Sequence, residues 1–163
     1  MKVSRARLLV GLMALASVMG AQAQALDFKP YARGSFSELR KAHAGRPLVI
    51  HFWSVTCAPC LAELSDWARI ARERKGIDIV FVNVDGERDH VKAGARLEKA
   101  GLAGAVHYGF ADDFLDRLFF EVDRSWHGDL PFTAMVDAKG ALVTVTGPVD
   151  EPAIVVWLSK ASP

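Results

Sequence analysis

The segment Cys57-Ala58-Pro59-Cys60 constrains this chain most, because it lies between a predicted strand and a predicted helix. The apolar residues 47–54 before it are typical of a buried strand. The apolar positions after it repeat at helical spacing as far as residue 74. Cys57 is therefore expected at the N-terminus of a helix, where unpaired backbone N–H groups and the helix dipole favour a thiolate.

Cys57 and Cys60 are the only cysteines of the chain. A bridge between residues three apart constrains an unfolded chain little, so redox chemistry explains the pair better than stabilisation. A thiolate is the attacking species in disulfide exchange. We predict Cys57 as the nucleophile and the more buried Cys60 as the resolving thiol. A zinc site is the alternative, but zinc normally takes four ligands, and the sequence has no second Cys-x-x-Cys and no closely spaced histidines.

The first residues are typical of an export signal. A basic start precedes the apolar stretch 8–19, and small residues follow at the positions that signal peptidase reads. Cleavage after Ala23 and cleavage after Ala25 fit equally well. An uncleaved membrane anchor is the alternative, although the apolar run is shorter than the roughly 18–20 residues that span a bilayer. We expect a cleavable signal peptide at 1–25 and one domain at 26–163.

Charge and composition exclude several classes of function. The formal net charge is +1, and residues 1–25 carry three positive and no negative side chains, so the predicted mature domain is near −2. This balance argues against nucleic acid as a partner and gives no reason to expect binding to anionic membranes. The chain is 51% apolar and 24% charged, as in a globular protein with a sizeable core.

The remaining pattern predicts an α/β fold. Ser35 and Glu38 form a capping-box pattern for a first helix that ends near Gly45, and Asp112 or Asp113 is placed to cap a later one. The predicted order is helix 35–45, strand 47–54, helix 60–74, strand 77–84, helix 88–100, weak strand 105–110, helix to 121, hairpin 132–146 and a last helix from 150. Alternation followed by a hairpin predicts a central mixed sheet flanked by helices.

Two segments resemble a known family. Residues 49–64, VIHFWSVTCAPCLAEL, resemble the active-site region of the thioredoxin superfamily. They look most like the TlpA/ResA-like branch of exported thiol–disulfide reductases, through Cys-x-Pro-Cys-x-x-Glu. Residues 128–137, GDLPFTAMVD, are similar to the loop and strand of that branch. The resemblance covers about residues 28–160 and implies a thioredoxin fold with a family-type α/β insertion.

The resemblance also implies roles for particular residues. Pro131 is expected in the cis form, facing the cysteine pair, where its missing N–H leaves a neighbouring backbone group free to pair with a substrate strand. Leu130 is expected to touch that substrate. Glu63, one helical turn after Cys60, is expected to accept a proton from Cys60 during exchange, the alternative being an ordinary exposed helical glutamate.

The family's usual work is to deliver electrons outside the cytoplasm. Its members reduce oxidised cysteines of apocytochrome c or of copper-handling proteins, and their electrons come from a membrane thiol donor of the DsbD or CcdA type. By this resemblance we expect a periplasmic monomer that acts on oxidised exported proteins. We expect no bound cofactor and no metal.

The sequence departs from the family at two positions. Thr56 stands where the family usually has Trp before the first cysteine, which changes the surface that a partner meets. His51 stands where thioredoxin has a buried acid. His51 is either a hydrogen-bonded core residue, as most buried histidines are, or a proton relay beneath Cys60.

Three further side chains are candidates for the substrate groove. Trp126 and His127 precede the Pro131 loop and either line the groove or belong to a solvated loop. Trp53, near the active-site turn, fits packing better than binding.

Three functions remain open. A dithiol reductase fits the Ala-Pro between the cysteines, because a His there is one way in which strong oxidants stabilise the thiolate. A disulfide-forming oxidase or isomerase would use the same fold, although the oxidases carry a larger helical insert. A Cu(I) chaperone would need a third ligand such as His127, and the related copper-delivery proteins use a longer cysteine spacing.

Overall fold

The computed structural model describes residues 26–161. The predicted signal peptide and its cleavage site therefore lie outside the described residues. The strands are β1 Lys29–Tyr31, β2 Leu48–Trp53, β3 Asp78–Asn83, β4 Val106–Phe110, β5 Phe132–Val136 and β6 Leu142–Thr146. The helices are α1 Ser35–Ala42, α2 Ala58–Glu73, α3 His90–Ala100, α4 Leu115–Val122 and α5 Pro152–Ala161.

Within residues 26–161 the strands form one six-stranded sheet in the order β1-β4-β3-β2-β5-β6. The pairs β1–β4, β4–β3 and β3–β2 are parallel, whereas β5 is antiparallel to both β2 and β6. Parallel neighbours need a crossover, which α2 supplies between β2 and β3, and α3 between β3 and β4. The predicted mixed sheet flanked by helices is confirmed.

Strand β2 lies at the centre and every one of its residues is buried. Because side chains alternate along a strand, Ile50 and Phe52 face one core and Val49 and Trp53 face the other. The first core packs against α1 and α4, and the second packs against α2, α3 and α5. His51 lies on the second face, with its ring centroid 4.8 Å from that of Trp67.

Strand β1 is not among the predicted strands. This strand is three residues long and pairs with β4 at the edge of the sheet. Three residues are too few to show a period of two, so tertiary pairing rather than local pattern defines the strand. Its last residue, Tyr31, is buried and stacks on Phe110 with a centroid distance of 5.3 Å.

The predicted helix caps at Ser35 and at the aspartates before α4 are wrong. Gly34, with φ +88°, is the N-cap of α1, and the Ser35 hydroxyl accepts the N–H of Ala32 instead. The Asp112 carboxylate accepts the N–H of Phe114, itself the N-cap of α4, and so forms a turn before the helix. In both places the polar side chain bonds the backbone just outside the helix.

None of the helices within residues 26–161 is long and apolar enough to cross a membrane.

His107 is a buried titratable side chain on β4. Its Nε2 donates to the Leu102 carbonyl at 2.9 Å, while its Nδ1 is buried without a hydrogen-bond partner among the described residues. The rings of Phe28 and Phe81 lie near it, each with a centroid distance of 5.8 Å. Burial lowers the pKa of His107, and the Leu102 carbonyl opposes that shift.

We expect the substitution His107→Gln to remove an acid-dependent loss of stability. Because the folded-state pKa lies below the unfolded value of 6.5, the unfolded state binds more protons as the pH falls. The free energy of unfolding of the wild type should therefore fall relative to that of the variant between about pH 7 and pH 5. Urea unfolding at several pH values measures this difference.

The matched control is His127→Gln, since His127 is exposed. This variant should follow the wild-type pH dependence. Parallel pH curves for the wild type and His107→Gln would contradict the prediction.

Candidate active site

Cys57 is the N-cap of α2, which is the position that the sequence predicts. The chain leaves β2 after Trp53, turns, and enters α2 with Cys57 in an extended conformation at φ −85° and ψ 101°. Pro59 lies in the first helical turn, where its missing N–H breaks no helical hydrogen bond. The backbone N–H of Cys60 donates to the Cys57 sulfur at 3.2 Å. The helix N-terminus thus directs a hydrogen-bond donor at this sulfur.

The two cysteines form a disulfide with a Cα–Cα distance of 5.3 Å, so the structure describes the oxidised form. Cys60 is fully buried in the second core, whereas Cys57 is half-buried. An incoming sulfur therefore has better access to Cys57 than to Cys60.

The peptide bond between Leu130 and Pro131 is cis, as the resemblance implies. Pro131 precedes β5, and the register places Phe132 opposite Phe52 near the end of β2. Pro131 therefore lies at the same edge of the sheet as the turn to Cys57. Pro131 is buried, and the half-buried side chain of Leu130 packs against both cores.

Glu63 is buried on the face of α2 that carries Cys60. Its Oε2 accepts the backbone N–H of Val149, and its Oε1 lies 3.2 Å from Nε2 of His51. The His51–Glu63 contact is within ion-pair distance but is not aligned as a hydrogen bond. The Nδ1 of His51 lies 3.1 Å from the Thr133 hydroxyl oxygen. The structure thus joins Glu63 and His51 in one buried polar chain.

A short segment after β6 connects the buried polar chain of Glu63 and His51 to the cis-proline. The N–H of Gly147 donates to the Pro131 carbonyl at 2.9 Å, and two residues later Val149 donates to Glu63. Gly147 has φ +135°, and a Cβ there would lie 2.7 Å from Cγ of Glu151. Glycine therefore suits this position on both conformational and steric grounds.

The structure separates the three groove candidates. Trp126 is buried and stacks on Phe132 with a centroid distance of 4.0 Å, while its Nε1 donates to the Asp129 carbonyl at 2.8 Å. Trp53 is fully buried in the second core. Neither tryptophan faces a groove, because the core covers both side chains. His127 is exposed in the loop between α4 and β5.

Asp85, which is not among the predicted site residues, bonds the turn before Cys57. Its Oδ1 accepts the Ser54 hydroxyl at 2.7 Å, and its Oδ2 accepts the Val55 N–H at 2.7 Å and the Asn83 amide at 2.9 Å. The Ser54 oxygen in turn accepts the Thr56 N–H at 3.0 Å. The sequence does carry a signal for Asp85, because this acidic residue comes just after β3, a strand parallel to β2. The carboxyl ends of parallel neighbouring strands meet at one end of the sheet, so Asp85 is expected near the turn that follows β2.

Within residues 26–161, no group of three or more His, Cys, Asp or Glu side chains is arranged to hold a metal ion.

The sequence matches no protein-family model and no curated protein. Solved structures resemble the chain in three dimensions. One is DsbF of Mycobacterium tuberculosis, which is 16% identical to this chain and superposes with a TM-score of 0.59. The match covers 75% of this chain and 85% of the DsbF chain. A thiol:disulfide interchange protein of the thioredoxin family from Chlorobium tepidum has 21% identity, with 76% and 83% covered and a TM-score of 0.57.

A secreted Mycobacterium tuberculosis disulfide oxidoreductase, homologous to Escherichia coli DsbE, is also similar. It has 16% identity, with 74% of this chain and 84% of that chain covered and a TM-score of 0.56. These similarities show that the chain has the thioredoxin fold.

Asp123 anchors the loop that leads to Pro131. Its Oδ2 accepts the Thr144 hydroxyl of β6 at 2.5 Å, and its Oδ1 accepts the N–H and the hydroxyl of Ser125 at 2.8 and 2.7 Å. The Thr144 bond first, and then the Ser125 bonds, lower the pKa of Asp123 because they favour its charged form.

We expect Asp123→Asn to remove stability that depends on this charge. The contribution is complete above the unfolded-state pKa of 3.8 and is lost as the pH falls through the lower folded-state value. The variant should lose on the order of 1 kcal/mol near neutral pH, a modest figure because the site is partly exposed. Urea unfolding from neutral to strongly acidic pH measures the loss.

The loss relative to the wild type should shrink as the pH falls below about 4. Asp113→Asn serves as the control, because Asp113 is exposed. A loss for Asp123→Asn that stays constant at all pH values would contradict the assignment.

Proposed function

We propose that this protein is a thiol–disulfide oxidoreductase whose Cys57–Cys60 dithiol reduces disulfides of exported proteins. The observation that carries the proposal is the Cys57–Cys60 disulfide at the N-terminus of α2, at the same sheet edge as the cis-Pro131. The names of proteins with similar structures support the same chemistry, since they include a secreted disulfide oxidoreductase and a thiol:disulfide interchange protein.

The first step begins from the reduced dithiol. The Cys57 thiolate attacks one sulfur of the substrate disulfide, which forms a mixed disulfide and breaks the substrate S–S bond. The departing substrate sulfur leaves as a thiolate and takes up a proton. The Cys60 N–H and the N-terminus of α2 favour the Cys57 thiolate before attack.

The second step forms the disulfide that the structure describes. Cys60 gives its proton to Glu63 and attacks the Cys57 sulfur. The mixed disulfide breaks, and the second substrate sulfur leaves as a thiolate and takes up a proton. Two electrons have then passed from the protein dithiol to the substrate, which ends as two thiols.

The buried polar chain offers a place for the proton from Cys60. Val149 occupies Oε2 of Glu63, and Oε1 faces His51. The Thr133 hydroxyl can donate to a neutral Nδ1 of His51 or accept from a protonated one, so both charge states of His51 have a partner. We assign His51 to this proton relay. Its ring faces Oε1 of Glu63 and offsets the charge of that carboxylate.

Pro131 and Leu130 are the proposed substrate contacts. Proline has no N–H, so the chain beside the cysteine pair keeps a neighbouring backbone group free for a substrate strand. The Pro131 carbonyl already accepts the Gly147 N–H. The backbone group left to pair with a substrate strand is therefore on the Leu130 side of the peptide bond. His127, exposed in the preceding loop, is a third proposed contact with the partner.

The site of action and the partners follow from the resemblance in the sequence. We propose that residues 1–25 direct export, that the mature protein works as a monomer in the periplasm, and that a membrane thiol donor of the DsbD or CcdA type reduces it again. Apocytochrome c and copper-handling proteins are the proposed substrates, within the TlpA/ResA-like branch.

The reduction potential of the Cys57–Cys60 couple tests the direction of exchange. Equilibration of the mature domain with glutathione should give a value near or below about −230 mV, on the thioredoxin side. A value near about −120 mV would instead support the disulfide-forming oxidase. Absence of the disulfide in oxidising glutathione would overturn both and favour metal binding by the thiols.

The role of Glu63 is tested by Glu63→Gln, which removes the proton acceptor but keeps the shape. We expect the first attack to keep its rate and release of the mixed disulfide to slow by about 100-fold. Rapid acid quenching followed by mass spectrometry of the complex with a peptide disulfide measures both steps.

Glu73→Gln is the matched control, because Glu73 is the exposed last residue of the same helix. It should resolve the mixed disulfide at the wild-type rate. Equal resolution rates for Glu63→Gln and the wild type would remove Glu63 from the mechanism.

A further inference from the structure

The turn that carries Cys57 lies beyond the last strand pair of β2 and β3. Trp53 is opposite Asn83 in the parallel register, and the N–H of Val84 still donates to the Trp53 carbonyl at 3.0 Å. After this point the Asp85 carboxylate replaces a backbone acceptor and takes the N–H of Val55. The side chain of Asp85 thus extends the pairing of the two strands past their ends.

The hydrogen bonds within the turn have a determined direction. An ionised carboxylate only accepts, so the Ser54 hydroxyl donates its proton to Asp85. The Thr56 hydroxyl, 2.8 Å from the Ser54 oxygen, must then be the donor in that contact. The Thr56 N–H donates to the same Ser54 oxygen. The polar groups of the turn therefore orient toward Asp85, and bonds to a charged acceptor are the stronger kind.

The need for this support changes with the redox state. In the oxidised form the disulfide itself ties Cys57 to Cys60. In the reduced form that bond is gone, and the turn holds Cys57 through its backbone, including the bond from the Cys57 N–H to the Ser54 carbonyl at 3.3 Å. A turn that is held by Asp85 keeps the reduced sulfur near the Cys60 N–H.

We propose that Asp85 is a positioning residue of the dithiol, whose carboxylate fixes the turn 54–56 and so holds the reduced Cys57 sulfur at the N-terminus of α2. This inference rests on the dithiol exchange proposed above. Asn83 is fully buried and donates to Asp85, which orients the carboxylate from the side of β3. Asp85 thus acts through the backbone and not by touching the substrate.

A positioning role and a simple charge effect predict opposite results. Asp85→Asn removes a negative charge from the neighbourhood of Cys57, which by itself would favour the thiolate and speed its reaction. Ser54→Ala removes the hydroxyl link but no charge. If Asp85 positions the turn, both variants lose organisation of the reduced sulfur, and both react more slowly.

The experiment measures iodoacetamide alkylation of Cys57 in the reduced protein as a function of pH. For Asp85→Asn and for Ser54→Ala we expect the rate at pH 7 to fall about threefold to tenfold, with the midpoint of the pH profile moved upward. The control Asp116→Asn also removes one negative charge, from an exposed position in the first turn of α4, and should match the wild type.

The glutathione equilibrium supplies a readout that general destabilisation would not move. Loss of stability shared by both redox forms cancels in this equilibrium, whereas loss confined to the reduced form shifts it about threefold to tenfold toward the disulfide. Wild-type values, or faster alkylation in Asp85→Asn, would overturn the positioning role while leaving dithiol exchange intact. Failure of wild-type Cys57 to exchange with glutathione would overturn both proposals.

Discussion

The parallel pairing of β2 with β3 is the constraint on which the surroundings of the cysteine pair depend. Parallel neighbours require a crossover, so the chain must turn at the end of β2 and enter α2 at that same edge. The turn makes Cys57 the N-cap of α2. Strand β3 brings Asp85 beside this turn, where its carboxylate accepts the Val55 N–H. Antiparallel β5 then begins at this edge and supplies the cis-proline. The cysteine turn, Asp85 and Pro131 thus lie at one end of the sheet because the strand ends coincide there.

The second core contains two buried ionisable side chains, Glu63 and His51. Glu63 and His51 are both buried between the sheet and α2, and burying charged or polar groups is costly unless they are paired. Their partners are a backbone N–H at Val149 and the hydroxyl of Thr133. This arrangement satisfies the carboxylate at one oxygen and leaves the other facing an imidazole. In the proposed mechanism this pair holds and returns the proton of Cys60.

Local patterns predicted most of the fold, and their failures have physical causes. Long periodic segments such as α2 and strongly apolar strands such as β2 lie where the sequence places them. The caps at Ser35 and Asp112 fail because these side chains bond the backbone outside the helices. The cis form of Pro131 was expected only through the family resemblance. Nothing in the sequence pattern distinguishes Trp126 as a core residue from a groove residue, because an aromatic side chain suits both.

The local sequence pattern predicts the position of the cysteine pair. Two cysteines three apart, after a buried strand and before a helix, leave little choice about where the thiols lie or which of them is exposed. The surroundings of the two cysteines depend on contacts between segments that are far apart in the sequence. Val149 acts through its backbone N–H, which carries no sequence signal, and Asp85 acts across 30 residues of chain because β3 lies beside β2. Contacts between segments that are distant in the sequence depend on which strands the crossover connections place side by side, and local residue patterns do not specify that arrangement.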